Sequence, residues 1–261
     1  MTAAFHATDR AVLRIAGPDA EHFLQGLVTN DLARLTDGPV YAAMLSPQGK
    51  YLFDFIMRRD GDDILLDVDA SRAADLAKRL SLYRLRAKVE ISEAGLAVIV
   101  GTGTAPDAIA AAPDPRDARL GWRALVADPD AALADVPSLT PEDYAALRVD
   151  CAVPAGGAEL RPDDSYVLEM DFERLGGVDF RKGCYVGQEV TARMKHKTEL
   201  RKGLARVSIE GVAPPPGTQI TSDGKPVGYL GTSAAGRGLA YLRFDRATGD
   251  MIAGSAKITR I

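Results

Sequence analysis

Lys182-Gly183-Cys184-Tyr185-Val186-Gly187-Gln188-Glu189 places one of the chain's two cysteines between a basic pair, Arg181 and Lys182, and a glycine-gated helix start. Cations beside a thiol favour the thiolate, and a helix opening at Gly187-Gln188-Glu189 turns the positive end of its dipole the same way. Cys184 is therefore a candidate nucleophile or metal ligand. The competing reading is a small buried hydrophobe in a tight turn, the usual state of a free cysteine. From Arg181 to Lys202 seven bases (Arg181, Lys182, Arg193, Lys195, Lys197, Arg201, Lys202) stand against Glu189 and Glu199, a local net of +5 in a chain of net charge −4. Such a run is either a solvated helix face or a surface for an anionic partner.

The remaining composition narrows the classes. At 261 residues, with 46% hydrophobic and 26% charged, the chain can bury one large core or several smaller ones. Its acidic balance argues against a surface built to coat nucleic acid, so direct nucleic-acid binding is not expected. Cys151, Cys184, His6, His22 and His196 give no zinc spacing, and two thiols cannot enclose a cluster alone, so no resident metal is expected. Residues 1–10 have neither the apolar stretch of a signal peptide nor the Arg-rich texture of a transit peptide. No apolar run is long enough for a bilayer. The expectation is a cytoplasmic protein with reduced thiols, no membrane contact and no feature demanding more than a monomer.

Outward from the motif, the pattern divides the chain in three. Ala11 to Ile15 reads as a strand, and Gly17-Pro18-Asp19 opens a helix with Phe23, Leu24, Leu27 and Val28 on one face, interrupted at Thr29-Asn30-Asp31. Strands follow at Val40–Leu45 and Tyr51–Met57, joined by Ser46-Pro47-Gln48-Gly49, with a third at Asp63–Val68 and a helix capped by Ser71 that carries Leu76, Leu80 and Tyr83. Residues 1–100 are thus a first α+β lobe. Residues 101–197 form a second, with a strand through Trp122 and Ala124-Leu125-Val126. Thr140-Pro141-Glu142-Asp143 there marks a capped helix start. Residues 198–261 break into short β-like pieces separated by Pro214-Pro215-Pro216-Gly217, Asp223-Gly224 and Gly236-Arg237-Gly238, the texture of a small barrel.

Within this frame Asp54 stands out, because it interrupts the apolar strand Tyr51-Leu52-Phe53-Asp54-Phe55-Ile56-Met57, where alternation puts it beside Leu52 and Ile56. A carboxylate there is either paired with a nearby arginine or faces a pocket for a cationic or amine-bearing ligand. Asp67 and Asp69 share a face of the next strand, open to a pocket or to solvent. Arg148, one helical turn after Tyr144, reads by itself as a surface arginine.

The octapeptide Lys182 to Glu189 resembles the signature of the YgfZ/Iba57 group of folate-binding proteins. The resemblance runs through Phe23-Leu24-Gln25-Gly26, Thr29-Asn30-Asp31, Tyr41 to Lys50, Asp114-Pro115-Arg116, Leu120-Gly121, the Arg148 helix and the glycine-rich end of the chain. The group is related to the aminomethyltransferase (T-protein) of the glycine cleavage system. The resemblance implies that α+β fold: a ring of two α+β lobes and a C-terminal β-barrel around a tetrahydrofolate site. Tyr41 and Asp54 match a T-protein tyrosine and aspartate 13 residues apart, and Arg148 matches a folate-contacting arginine. The implied cofactor is tetrahydrofolate or a derivative, polyglutamylated forms included, contacted by Tyr41, Asp54, Asp69, Arg148, Gln188 and Glu189. Cys184, with Lys182, is the implied reactive group. The implied partners are iron–sulfur assembly proteins or 4Fe–4S client enzymes, among them radical enzymes that modify tRNA. Departures bear on activity. The chain has Gly49-Lys50 and a single Asp54 where T-proteins have Gly-Gly and paired acids. Asp69 replaces an asparagine, and the cysteine motif stands where T-proteins carry a Phe-Ile-Gly-Lys type sequence. Folate binding is thus the better-supported expectation, and one-carbon transfer of the aminomethyltransferase type the alternative.

Overall fold

The computed structural model describes residues 2–196 and 199–261. Its first sheet is antiparallel, in the order Val40–Leu45, Tyr51–Asp60, Asp63–Asp69, Arg10–Ala16, Glu90–Glu93. Helices Ala20–Gln25 and Ala73–Arg84 cover one face, where Phe23, Leu24, Leu76 and Leu80 share a core with Phe53, Phe55 and Met57. The other face is covered as well: Tyr41, Ala43 and Ile56 pack with Leu160, Phe172 and Leu175. Burial on both faces explains why these strands read as nearly continuous apolar runs.

One irregularity in this sheet matters for the site. Met44 pairs with Phe53 but Leu45 pairs with Tyr51, leaving Leu52 as the extra residue of a β-bulge. The bulge inverts the alternation before Phe53. Leu52 therefore packs with the helices, and Tyr51 takes the side of Asp54 and Ile56 that plain alternation assigns to Leu52.

The expected Ser71 cap is also corrected. The Asp69 carboxylate accepts the Ser71 N–H at 2.8 Å and its hydroxyl at 2.6 Å, a short 3-10 turn spans Ala70–Arg72, and the helix begins at Ala73. A carboxylate outbids a hydroxyl as acceptor at this entry. Leu27 and Val28 fall beyond the first helix, in the turn that follows it, but remain buried in the same core.

The second sheet runs Ala3–His6, Ala97–Thr102, Trp122–Val126, Ala111–Pro113. Its edge strand comes from the N-terminus, four residues too short to show an alternation, and is joined by backbone pairing to a strand about a hundred positions on. Helix Pro141–Asp150 starts as its sequence specifies, with Thr140 Oγ1 accepting the Asp143 N–H at 3.0 Å and Pro141 at the first position. Residues 151–187 then run through turns and irregular segments to helix Gln188–His196. The chain ends in a closed barrel ordered Lys202–Glu210, Arg237–Arg243, Lys225–Ala234, Gln219–Ser222, Met251–Ala253, Ala256–Arg260. Strict alternation along Lys202–Glu210 sends Ala205, Val207 and Ile209 inward, the pattern a small barrel requires.

Candidate functional site

Tyr41 and Asp54, which the resemblance assigns to one pocket, are in direct contact. The Tyr41 hydroxyl donates to Asp54 Oδ2 at 3.0 Å, and the bulge brings a second phenol, Tyr51, to Oδ1 at 2.7 Å. Asp54 is thus a buried carboxylate held by two tyrosines, where the sequence offered an arginine or an open pocket. Burial, and after it the Asp54 charge, holds both phenols well above the usual tyrosine range, so they remain donors. Asp54, Tyr51 and Asp69 border a cavity of about 70 Å³ with Arg72, Gly156 and Pro162. That volume suits about two waters and is far too small for a bicyclic ligand.

Arg148 is elsewhere. Its guanidinium donates to Val153 O and Thr232 Oγ1, both at 2.7 Å, and lies 3.5 Å from the fully buried Glu159 carboxylate. It lines a different cavity of about 380 Å³, together with Phe5, Arg10, Arg116, Arg123 and Tyr144. The Phe5 and Tyr144 rings lie 5.7 Å apart along its wall.

Behind the arginines stand two carboxylates. Asp67, which the sequence left open to either pocket or solvent, is 1% exposed and pairs with Arg10 at 2.6 Å and Arg123 at 2.7 Å. Asp114 takes Arg116 in a two-pronged contact at 2.9 and 2.7 Å. Burial alone would raise both acids. The Arg116 charge and hydrogen bonds, with Arg123, instead hold Asp114 at about 2, and Arg10 and Arg123 hold Asp67 below the usual range. These three guanidiniums stand against Asp67 and Asp114, and Asp9 borders the same cavity, so the charges on this wall are matched. Sequence reasoning missed Arg10, Arg123, Tyr144 and Glu159 as site residues. The one local signal was the spacing of Tyr144 and Arg148, which puts both on one helix face. The rest depend on pairings across sheets.

The motif loop is fastened to the first lobe at many points. Asp179 N–H donates to Thr29 O at 3.0 Å, and its carboxylate accepts the N–H of Arg181 at 2.7 Å and of Lys182 at 3.2 Å. Thr29 Oγ1 donates to Gly177 O at 2.6 Å, and Asn30 Nδ2 to Gly176 O at the same distance, which gives the Thr29-Asn30-Asp31 interruption a purpose. Lys182 is buried, its ammonium donating to Gln25 O, Val28 O and Asn30 O at 2.8, 2.5 and 2.9 Å. Burial pulls that ammonium down to about 8 against the opposing charges of Asp31 and Asp179. Tyr185 is buried in one core, Val186 packs on the other, and Val186 N–H donates to Gly26 O at 3.2 Å. Cys184 and Gly183 are exposed at the tip, so the thiol is not a small buried hydrophobe in a tight turn.

The other motif residues face outward or along the helix. Gln188 is half-buried at the first position of the helix, and Glu189 is exposed and paired with Arg193 at 2.8 Å. Among the described residues neither borders the two cavities above. The basic run is partly answered by acids: besides Arg193 with Glu189, Lys195 pairs with Glu173 and Lys202 lies 3.6 Å from Glu169. Lys197 lies outside the described residues.

Residues 201–261 match the family model described as CAF17, C-terminal beta-barrel domain. Over 95% of its length the chain is 33% identical to the mitochondrial iron–sulfur cluster assembly factor IBA57 of Mus musculus, covering 79% of that protein. It is 34% identical to the corresponding factor of Homo sapiens, covering 95% of this chain and 80% of that one. The crystal structure of the glycine cleavage system aminomethyltransferase T from Bartonella henselae superposes on the whole chain and on 84% of its own, with a TM-score of 0.74 at 13% identity. The likeness in that case is one of fold: the T-protein architecture, ending in a barrel.

Proposed function

The chain belongs to the IBA57 family, and from that premise we propose that it assists the assembly or repair of 4Fe–4S proteins, with Cys184 as the residue that touches the cargo. The observation that carries this reading is the exposed thiol at the tip of a loop pinned on both sides to the first lobe. One thiolate cannot enclose a cluster, so the remaining ligands come from a partner, either an assembly protein or the client itself. The clients in this reading include radical enzymes that modify tRNA. A strain lacking its own copy tests the assignment: Cys184→Ala is expected to leave 4Fe–4S enzyme activity at the level of the empty strain. Full support by the variant would remove Cys184 from the function.

A reduced folate is the second part of the proposal. The cavity of about 380 Å³ has the size of a small-molecule site. Phe5 and Tyr144, in contact with each other, would offer one apolar wall for a planar ring to rest on, and Arg148 and Arg10 would meet the glutamate carboxylates. The transferase alternative is weaker, because both oxygens of Asp54 are engaged by tyrosines and its own cavity admits no pteridine. Calorimetric titration with tetrahydrofolate should show one site in the wild type, weakened about tenfold or more in Arg148→Ala, as expected for losing a charge-assisted contact. Unchanged affinity in that variant would move folate out of this cavity.

A further inference from the structure

We infer that Lys182 is a positioning residue for Cys184: its buried ammonium fixes the motif backbone to the first lobe and leaves the sulfur untouched. The inference rests on the reading of Cys184 as the working thiol.

The geometry is that of a fully used donor. An ammonium has three N–H groups and no acceptor. Here all three go to Gln25 O, Val28 O and Asn30 O, carbonyls at the end of helix Ala20–Gln25 and in the turn after it. Those carbonyls form a cage that a compact cation fills and a flat guanidinium does not. Gln25 O, at the last position of the helix, lies at its negative end, where a cation is favoured. Lys182 thus has no N–H left to offer the thiol, and its side chain is directed into the protein while Cys184 lies in water.

The other fastenings make the same point on both sides of the cysteine. Asp179 holds the N–H groups of residues 181 and 182, Tyr185 is buried, and Val186 N–H is bound to Gly26 O. Gly183 and Cys184 are exposed between these fastenings, beside the exposed Arg181. A partner that must bring a cluster edge to one sulfur gains from finding it in a fixed place, since the ordering cost is already met in the free protein.

Charge and positioning predict different outcomes in the full-length chain. Lys182→Met removes charge and donors while keeping the apolar stem, and Lys182→Arg keeps the charge but cannot converge three donors on the cage. The readouts are hydrogen exchange over residues 179–187 and the pH profile of iodoacetamide alkylation at Cys184, followed by peptide mass spectrometry. We expect exchange to quicken about tenfold or more in Lys182→Met, because buried carbonyls lose their partner, and to quicken in Lys182→Arg as well. The alkylation midpoint should stay where it is in both. A midpoint displaced upward in Lys182→Met and restored in Lys182→Arg, with exchange unchanged, would overturn the inference in favour of direct action on the sulfur. Wild-type exchange in both variants would overturn it outright. Should Lys182→Met not fold, Lys182→Arg alone separates the cases: wild-type behaviour there contradicts positioning. Neither readout depends on cluster assembly, so failure of the proposed function in the Cys184→Ala test would leave them standing.

Discussion

Asp114 illustrates how a single residue couples the second sheet to the cavity. It is 3% exposed, bound by Arg116 in two contacts and 3.6 Å from Arg123, which in turn reaches Asp67. Its carboxyl is held at about 2 against an ordinary 3.8, so the folded state prefers the ionised form. For an acid with a depressed folded value, that preference is complete above about pH 4 and is lost as pH falls toward 2. The difference corresponds to about 2 kcal/mol at neutral pH. Denaturant unfolding across pH 6 to 2.5 checks this: the wild type should lose stability more steeply below pH 4 than Asp114→Asn, which is weaker at neutral pH but flatter. Parallel slopes in the two proteins would contradict the assignment. At this scale the sequence was half legible. The burial of Asp54 followed from its strand, but its second partner, Tyr51, followed from a bulge at Leu52 that no residue type announces. Asp67 and Arg123 sit in different sheets, and neither has a local reason to be buried.

Between elements, the motif helix and the first hairpin lock through two glycines. Gly187 has φ +85°, and a Cβ there would stand 2.6 Å from Ser46 O and 2.9 Å from Leu45 Cβ. A Cβ on Gly49, itself at φ +74°, would stand 2.7 Å from Val190 Cβ. The backbone conformation and the contact both require glycine. Gly187→Ala is therefore expected to cost about 2–4 kcal/mol, adding left-handed strain to overpacking. Urea unfolding measures it, and a loss under about 0.5 kcal/mol, the range of a neutral surface change, would mean that the turn and helix are not locked. Both pieces of this joint were legible separately, the turn from Ser46-Pro47-Gln48-Gly49 and the helix start from Gly187-Gln188-Glu189. Their contact was not, because close approach between segments so far apart in sequence leaves no periodic trace. The Ser71 cap shows a related limit: two capping residues stood two positions apart, and only the actual chain path shows that Asp69 is the one used.

The whole molecule is held together where the second lobe meets the barrel, and Glu159 is the centre of that seam. It is fully buried. Oε2 accepts the Ala155 N–H at 2.8 Å, Oε1 accepts the Thr232 N–H at 2.5 Å, and Arg148 closes the triangle by binding Thr232 Oγ1. Gly231 clears the way, since a Cβ there would lie 2.3 Å from Oε1. The alternating pieces after residue 200 announced a barrel, and composition announced the lobes. Their arrangement as a T-protein fold came from the motif's resemblance, because an interface made by one buried acid and a few backbone groups has no sequence pattern of its own. Glutamine is not conservative at position 159. Both carboxylate oxygens accept from backbone N–H groups, and an amide nitrogen on either side would set donor against donor while leaving Arg148 without its counterion. Glu159→Gln is therefore expected to lose about 2–4 kcal/mol, with the loosening confined to one seam. Hydrogen exchange should quicken in residues 153–160 and in the strand Lys225–Ala234, while the strands Val40–Leu45 and Tyr51–Asp60 keep their protection. Uniform acceleration across all three sheets would show instead that the seam is not a separable joint and that Glu159 supports the fold as a single unit.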